Sequence, residues 1–210
     1  MGNNARENIL NKIKQALAKP VPVPFPASQG KESVFLPSQQ ELEIEFAENF
    51  TRLEGKFSFC ADEQELVTQL QILIANRKWT KIYSRETNIQ DKLSRAGFSI
   101  VYSDDVAVCD AAITGCESLI ARTGSMVMSS AQLSGRTVSV YAPVHICIAY
   151  TNQLVYDIGE GLQQLREGYG QKFPSMVTLA TGPSRTADIE KTLVVGVHGP
   201  KEVFCFLVDS

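Results

Sequence analysis

The chain has 210 residues, 44% of them hydrophobic, which suits one ordinary domain with an appendage and a core of normal size. A formal net charge of -3, with no basic run longer than Arg77–Lys78, argues against nucleic acid as the main partner, because phosphate contacts dominate such binding. No apolar stretch is long enough to cross a bilayer and none at the N-terminus suits a signal peptide, so we expect a cytoplasmic protein without a membrane span.

Residues 1–36 are predicted to form an arm outside the main domain. Ile9, Ile13 and Leu17 recur at helical spacing, which predicts an amphipathic helix over residues 5–17. The PVPVPFP run over Pro20–Pro26 ends that helix and favours extended, polyproline-like backbone. We therefore divide the chain into an arm with its linker, 1–36, and an α/β domain, 37–210. The apolar stripe of the arm packs either on its own domain or on a partner, and the sequence leaves both open.

From Pro37 the pattern alternates between helix and strand. Ser38 is positioned to cap a helix that runs through Leu53, and Asp62 with Glu65 has the spacing of a capping box that starts the next helix. A third helix is predicted over 88–96, and strands are predicted over 57–60, 81–83 and 98–102. Strands separated by helices in this way predict a mainly parallel open sheet.

The middle of the chain is richer in strands. Short strands are predicted over 111–114, 118–122, 125–129, 137–142 and 144–149, followed by a helix over 158–167 and strands over 175–180 and 202–208. A strand-rich insert or antiparallel extension fits this better than pure Rossmann alternation, and the chain has no GxGxxG or GxxxxGK[ST] phosphate loop. The expected fold class is therefore α/β, a mainly parallel open sheet flanked by helices, with a strand-rich middle and an N-terminal helical arm.

The cysteines lie apart from one another, mostly in apolar runs and without a CxxC pair: Cys60, Cys109, Cys116, Cys147 and Cys205. This spacing predicts no metal site, and thiols that act as small buried hydrophobes in a reducing compartment. Cys116 stays open as a reactive thiol, because it stands beside Glu117 in a polar TGCES segment.

Polar segments that contain glycine lie at the ends of several predicted strands. They cover residues 114–117, residues 122–125, and residues 182–190 together with 197–200. Ligands in open α/β sheets bind near strand ends, where such loops converge. We predict one composite site from these three segments.

The predicted site would bind a small anionic ligand. The candidate ligand-binding residues are Thr123, Gly124, Ser125, Gly182, Ser184, Arg185, Thr186 and Asp188. Gly124 lacks the Cβ that would block approach to backbone amides, and Arg185 offers bidentate hydrogen bonds beside a short helix predicted to begin at Ala187. The alternatives are an ordinary hairpin turn at 123–125 and a capping box with solvated acids at 184–190.

The candidates for a chemical step are Glu117, Glu190 and His198. The carboxylates suit a nucleophile or base, and His198 stands at a strand-to-loop junction, where an imidazole either transfers a proton or stabilises a turn. The other histidine, His145, alternates with apolar residues along a strand, which predicts an interior side chain with satisfied hydrogen bonds.

Two runs carry a family resemblance: TGPSRTADIEKTLVVGVHGPKEV from Thr181 and LIARTGSMVM from Leu119 resemble the lactate utilisation protein C family, built on the LUD domain. The resemblance extends over Pro37 to Ser210 by the order of elements and implies a fold similar to the NagB/RpiA/CoA-transferase-like class. Members act in a cytoplasmic, cluster-containing system that oxidises L-lactate to pyruvate. Because this chain lacks the cysteine-rich motifs of the iron–sulfur subunits, the resemblance implies the cluster-free component, with those subunits as partners.

Three functions stay open on the sequence, and the cofactor stays unknown. The first is an accessory subunit that binds lactate, pyruvate or an anionic cofactor. The second is an independent CoA-transferase-like or sugar-phosphate-binding enzyme with Glu117 or Glu190 as nucleophile or base. The third is a purely structural interaction protein.

Overall fold

The computed structural model describes residues 3–18, 37–187, 193–196 and 198–210. The chain divides into two compact units, Met1–Pro37 and Ser38–Ser210. In the first unit, helix α1 spans Asn3–Leu17, so the helix predicted over 5–17 is confirmed. The PVPVPFP run lies outside the described residues.

The second unit alternates helices and strands and then becomes rich in strands. In chain order its elements are α2 (Leu42–Arg52), β1 (Lys56–Cys60), α3 (Glu63–Arg77), β2 (Ile82–Tyr83), α4 (Thr87–Arg95), β3 (Ala111–Thr114), β4 (Ser118–Ile120), β5 (Ser125–Ser129), α5 (Val138–Tyr141), β6 (Val144–Tyr150), β7 (Leu154–Val155), α6 (Ile158–Tyr169), β8 (Val177–Ala180), β9 (Arg185–Ala187), β10 (Leu193–Val195) and β11 (Glu202–Val208). No helix in the described ranges combines the length and apolarity needed to cross a bilayer.

A parallel sheet forms the centre of this unit. Its strand order is β1-β11-β6-β3-β2, and every neighbouring pair is parallel. A second sheet has the order β7-β4-β5-β8, in which β5 is antiparallel to both of its neighbours. Strands β9 and β10 form an antiparallel pair. The predicted fold class, a mainly parallel sheet with a strand-rich middle, is confirmed.

Both faces of the parallel sheet are buried, because successive side chains of a strand point to opposite sides. On one face, Ile146 and Ile148 of β6 pack with apolar residues of α3 and α4. On the other face, Cys147 and Ala149 pack against α2 and the second sheet. Helix α6 covers the second sheet through Leu165. The layers are therefore α3 and α4, the parallel sheet, α2 with the second sheet, and α6.

The start of α3 follows its sequence signal, whereas the start of α2 does not. Asp62 Oδ1 accepts a hydrogen bond from the Glu65 amide at 2.8 Å, so the cap predicted at Asp62 is confirmed. The cap predicted at Ser38 is wrong, since α2 begins after Glu41 and the Ser38 hydroxyl donates to the Glu45 carboxylate instead.

Two predicted strands are absent from the described structure. Residues 98–102 form no strand, and the segment joins β2 only through an isolated bridge between Tyr83 and Ser103. Phe98 is buried in the core instead, and Ile100 and Tyr102 pack against it, whereas Val101 is exposed. The strand predicted over 137–142 is helix α5 in the structure. Val138 and Ala142 are four residues apart, so one helical turn buries both in the same small cluster.

The helix predicted to begin at Ala187 is also wrong at that residue. Ala187 ends strand β9 and pairs with Leu193 of β10. An antiparallel partner within reach favours the extended backbone over the local cap that the sequence suggested. Residues 188–192, which include the rest of the predicted helix, lie outside the described residues.

Candidate functional site

The carboxyl ends of the parallel strands open onto a cleft. Helices α3 and α4 begin directly after β1 and β2, so the amino ends of both helices reach this edge of the sheet. The cleft encloses about 640 Å³. Small-molecule sites in proteins have volumes of about 300–1,000 Å³ and lie at this edge of open α/β sheets. We call it the carboxyl-edge cleft. Its polar lining residues are Asp62, Glu63, Gln64, Glu86, Asn88, Lys92, Asn152, Gln153, Asp209 and Ser210, and the rest of the wall is formed by Ile89, Gly115, Cys116, Ile148 and Tyr150.

Glu86 is a buried carboxylate in the wall of this cleft. It is only 6% exposed and stands at the N-cap position of α4, where its side chain makes no capping bond. The Ser134 hydroxyl donates to Glu86 Oε1 at 2.6 Å, and Gln132 Nε2 donates to the same oxygen at 3.5 Å. Burial raises the pKa of Glu86, opposed by hydrogen bonds from Ser134 and from the Gly115 backbone and reinforced by the charge of Glu117. A carboxyl group in this setting suits proton transfer or hydrogen bonding to a ligand.

Glu117 immediately precedes β4, and its side chain lies where the second sheet meets α6. Its Oε1 accepts hydrogen bonds from the Ser129 hydroxyl at 2.5 Å and from the Tyr169 hydroxyl at 3.0 Å. Burial and then the Glu117 charge raise the pKa of Tyr169, so the phenol stays protonated and remains a donor. Glu117 lines a cavity of about 110 Å³ beside α6, not the carboxyl-edge cleft.

One loop connects the two glutamates. The Ser129 amide donates to Gln132 Oε1 at 2.9 Å while its hydroxyl binds Glu117. Gln132 and Ser134 reach Glu86 from the other end of the same loop. The segment after β5 therefore holds both carboxylates in place through a short chain of hydrogen bonds.

A cation and an aromatic ring also line the cleft. Lys92 Nζ lies 3.7 Å from the centre of the Tyr150 ring and 3.9 Å from Glu63 Oε1. The Tyr150 hydroxyl donates to Glu63 Oε1 at 3.1 Å. Burial, followed by the Glu63 charge, raises the pKa of Tyr150. The ammonium of Lys92 is thus engaged by an acid and a ring on the protein itself.

The turn Thr123–Gly124–Ser125 packs against α2. Gly124 has φ +59, and a Cβ built there would lie 2.5 Å from the Phe50 amide nitrogen. The Asn49 side-chain amide, on the same helix, donates to the Ala121 carbonyl at 2.9 Å just before the turn. What approaches this glycine closely is the backbone of a helix. Gly124, one of the residues predicted to bind ligand, is thus in close packing contact with α2.

A chain of hydroxyls joins this turn to the predicted ligand loop. Ser125 Oγ lies 2.8 Å from Thr123 Oγ1 and 2.9 Å from Thr181 Oγ1. A Cβ at Gly182 would lie 2.5 Å from the Leu53 carbonyl oxygen at the end of α2. Arg185 Nη2 donates to that same carbonyl at 2.9 Å and lies 3.4 Å from Glu54 Oε2. The guanidinium predicted to bind an anion therefore closes the carboxyl end of α2.

Ser184 and His198 lie near a second pocket, at the opposite edge of the parallel sheet. This pocket encloses about 440 Å³ and is lined by Val140, Tyr141, Pro143, Gly196, His198, Gly199 and Lys201. The Ser184 backbone bonds to Gly196 and Pro200, on either side of His198. Lys201 precedes β11 and its amide donates to the Pro143 carbonyl before β6, which places the pocket at the amino ends of these strands. We call it the amino-edge pocket.

The structure thus separates the residues predicted to share one site. Glu117 lies beside α6, the 123–125 turn and Arg185 lie against α2, and His198 lines the amino-edge pocket. Thr186 is placed by its backbone in β9, and Asp188 and Glu190 lie outside the described residues. His145 is buried with its Nε2 2.7 Å from Thr114 Oγ1, and burial lowers its pKa to about 4. The interior role predicted for His145 is confirmed.

All five cysteines are buried and unpaired. Cys116, Cys147 and Cys205 share one core cluster, and hydrogen bonding to Cys147 together with burial holds the pKa of Cys116 well above its usual value. A protonated buried thiol is a poor nucleophile, which argues against a reactive role for Cys116 even though it lines the cleft. Within the described ranges, no group of three or more His, Cys, Asp or Glu side chains is arranged to hold a metal ion.

Sequence reasoning missed Glu86. The available signal was its position: it follows the predicted strand 81–83 and precedes a predicted helix, at the edge where parallel α/β sheets bind ligands. Its hydrogen-bond partners Ser134 and Gln132 lie more than 40 residues away along the chain, and no local sequence pattern predicts those contacts.

A parallel sheet between helical layers, with a ligand-sized cleft at its carboxyl edge, defines the class of this protein as an α/β domain suited to binding small molecules. The LUD domain family matches residues 44–208, and the chain belongs to that family. The solved structure of a DUF162 family protein from Deinococcus radiodurans matches with a TM-score of 0.60 over 80% of this chain and 96% of that chain. At 19% identity, this likeness shows the fold alone.

Curated relatives match over a shorter stretch. Lactate utilization protein C from Shouchella clausii is 33% identical over 108 residues, which is 51% of this chain and 47% of that protein. An uncharacterized protein from Neisseria meningitidis serogroup B is 37% identical over 97 residues, which is 45% of this chain and 40% of that protein. The match therefore spans about half the length of these curated relatives, or less.

Proposed function

We propose that this chain is the cluster-free component of a cytoplasmic system that oxidises L-lactate to pyruvate and that it works with iron–sulfur protein subunits. The similarity to lactate utilization protein C and membership of the LUD domain family support this role. The burial of the cysteines supports the absence of a cluster from this component. Each thiol is free and buried, and three of them lie in one apolar core cluster. Cluster ligands are thiolates, which apolar burial disfavours. Electron transfer is then the task of the partner subunits.

We further propose that a small anion binds in the amino-edge pocket. His198 and Lys201 are the lining residues that can carry positive charge, and no carboxylate is among the described lining residues. A carboxylate such as that of lactate or pyruvate is attracted by this charge and accepts hydrogen bonds from both side chains. Arg185 is less suited to the task, because it is already bonded to the Leu53 carbonyl.

The test is lactate-dependent dye reduction by the reconstituted iron–sulfur subunits, with this chain absent, present, or carrying Lys201→Gln. Lys172→Gln is the matched control, because Lys172 is an exposed lysine away from the pocket. The proposal expects a rate that requires the chain, falls with Lys201→Gln and is kept by Lys172→Gln. A rate indifferent to the presence of the chain contradicts the accessory role. A rate that needs the chain but ignores Lys201→Gln contradicts the anion pocket alone.

The second candidate, an independent enzyme that uses a carboxylate, is favoured by the way Glu117 is held between Ser129 and Tyr169. Its weakness is space, since the cavity at Glu117 encloses only about 110 Å³. That is small beside the ~300–1,000 Å³ of ordinary ligand sites. This candidate predicts turnover of an acyl-CoA or a sugar phosphate by the chain alone, lost in Glu117→Gln. An absence of turnover across both substrate panels contradicts it.

A further inference from the structure

The carboxyl-edge cleft is not used by the anion pocket just described, with which it shares no lining residue. We propose that this cleft is a second binding site, for a small polar molecule that is uncharged or positively charged, with Glu86 as the group that hydrogen-bonds to it. The site goes beyond the proposed function, which places an anion at the other edge of the sheet.

The volume and the walls of the cleft suit a small organic molecule. About 640 Å³ is within the range of ligand sites. Ile89, Ile148 and the Tyr150 ring provide apolar contact surface, while Asn88 and Asn152 offer amide donors and acceptors. A mixed lining of this kind binds molecules that carry both carbon skeleton and hydroxyl, amide or amine groups.

The charge of the lining decides the class of ligand. Asp62, Glu63, Glu86 and Asp209 face the cleft, against Lys92 as the one lysine or arginine among its described lining residues. The Lys92 ammonium is itself held by Glu63 and by the Tyr150 ring. An anion that entered the cleft would meet an excess of like charge, whereas an amine would be attracted.

Among the acidic residues that line the cleft, Glu86 is the buried one. Both of its side-chain donors, Ser134 and Gln132, bind Oε1. Its other oxygen, Oε2, lies next to Gly115, whose backbone hydrogen-bonds to the carboxylate and which also lines the cleft. Oε2 is therefore the oxygen on the cleft side. As a carboxylate it accepts from an amine or hydroxyl, and as a neutral acid it donates to a carbonyl.

Three probes of nearly equal size separate charge from shape: L-lactate, which is anionic, L-lactamide, which is neutral, and 1-amino-2-propanol, which is cationic. Each is titrated into the full chain near neutral pH and followed by the amide NMR signals of Asn88 and Gly115 in the cleft. From the shifts of these signals, we expect 1-amino-2-propanol and L-lactamide to bind at least about tenfold more tightly than L-lactate.

Two variants with a matched control test the assignment of residues. Glu86→Gln keeps the shape of the side chain and removes its charge, so we expect the affinity for 1-amino-2-propanol to fall about tenfold and that for L-lactamide to fall less. Asn152→Lys places a positive charge on an exposed position of the rim, so it should lower the affinity for the amine and raise that for lactate. This second variant keeps the test valid even if Glu86→Gln does not fold. Gln163→Lys adds the same charge to exposed α6 outside the cleft and should change neither affinity.

The proposal is overturned if L-lactate shifts the Asn88 and Gly115 signals with an affinity equal to that of 1-amino-2-propanol. It is also overturned if none of the three probes shifts these signals. Unchanged amine affinity in both Glu86→Gln and Asn152→Lys also overturns it. These measurements use the chain without partner subunits. A failure here therefore leaves the lactate-dependent dye assay as an independent test of the proposed function.

Discussion

Replacing Gly124 with alanine tests whether this glycine serves packing or the approach of a ligand. Its backbone is left-handed, with φ +59, and a Cβ would lie 2.5 Å from the Phe50 nitrogen and 2.7 Å from the Asn49 carbonyl carbon. A left-handed conformation costs an alanine about 1–2 kcal/mol. Crowding in a packed interior costs about 1–3 kcal/mol more. We expect Gly124→Ala to lower the free energy of unfolding by about 2–5 kcal/mol.

Gly135→Ala is the matched control for this change. Gly135 has a similar backbone, φ +64, but no atom lies within 4 Å of the position of its Cβ. It should therefore lose only the backbone contribution of about 1–2 kcal/mol. Urea unfolding of both variants, followed by far-UV circular dichroism, gives the two free energies. Equal losses within about 0.5 kcal/mol would refute the packing explanation. A fully stable Gly124→Ala that no longer binds an anion would favour the original ligand interpretation of the turn.

Three further results are expected. Burial raises the pKa of Glu86, so the folded state binds the carboxyl proton more tightly than the unfolded chain does. The stability gained from this proton is fully present below the ordinary glutamate pKa of about 4.3 and is lost as the pH rises through the raised pKa. The free energy of unfolding of Glu86→Gln relative to wild type should therefore rise with pH between about 4.3 and the raised pKa and level off above it. A pH-independent difference in urea unfolding would contradict this. Arg185→Ala should cost about 1 kcal/mol through the lost bond to the Leu53 carbonyl, the exposed ion pair adding little, and no change in unfolding would show that the guanidinium does not close α2. Phe50→Ala should cost about 3–5 kcal/mol, because the ring is fully buried, whereas Ile72→Ala, at a side chain 55% exposed, should stay within about 0.5 kcal/mol by the same measurement.

The parallel sheet was predictable because its signals are local. Strand β11 and strand β6 are apolar runs bounded by proline or polar residues, and α3 begins at a capping box that can be read from Asp62 and Glu65 alone. The segments 98–102 and 137–142 have the same apolar character, yet neither forms a strand. Whether such a segment joins a ladder depends on a free neighbouring strand, which its own sequence does not contain.

The candidate site was less predictable than the fold. Gly124, Gly182 and Arg185 have the composition of a binding loop, but their close neighbour is α2, whose end lies more than 50 residues earlier in the chain. Glycine is required wherever another group approaches the backbone closely, and the approaching group can be a ligand or a helix. The sequence pattern is the same in both cases.

The alternation of helices and strands, the burial of His145 and the family resemblance could be read from the sequence, because each rests on spacing or on a contiguous motif. The separate surroundings of Glu86, Glu117 and His198 could be read only from the folded chain. The same is true of the positions of the carboxyl-edge cleft and the amino-edge pocket at opposite edges of one sheet. Charge, burial and pKa depend on groups brought together from distant parts of the chain. Folding therefore sets the chemistry of each cavity, and the order of residues along the chain does not.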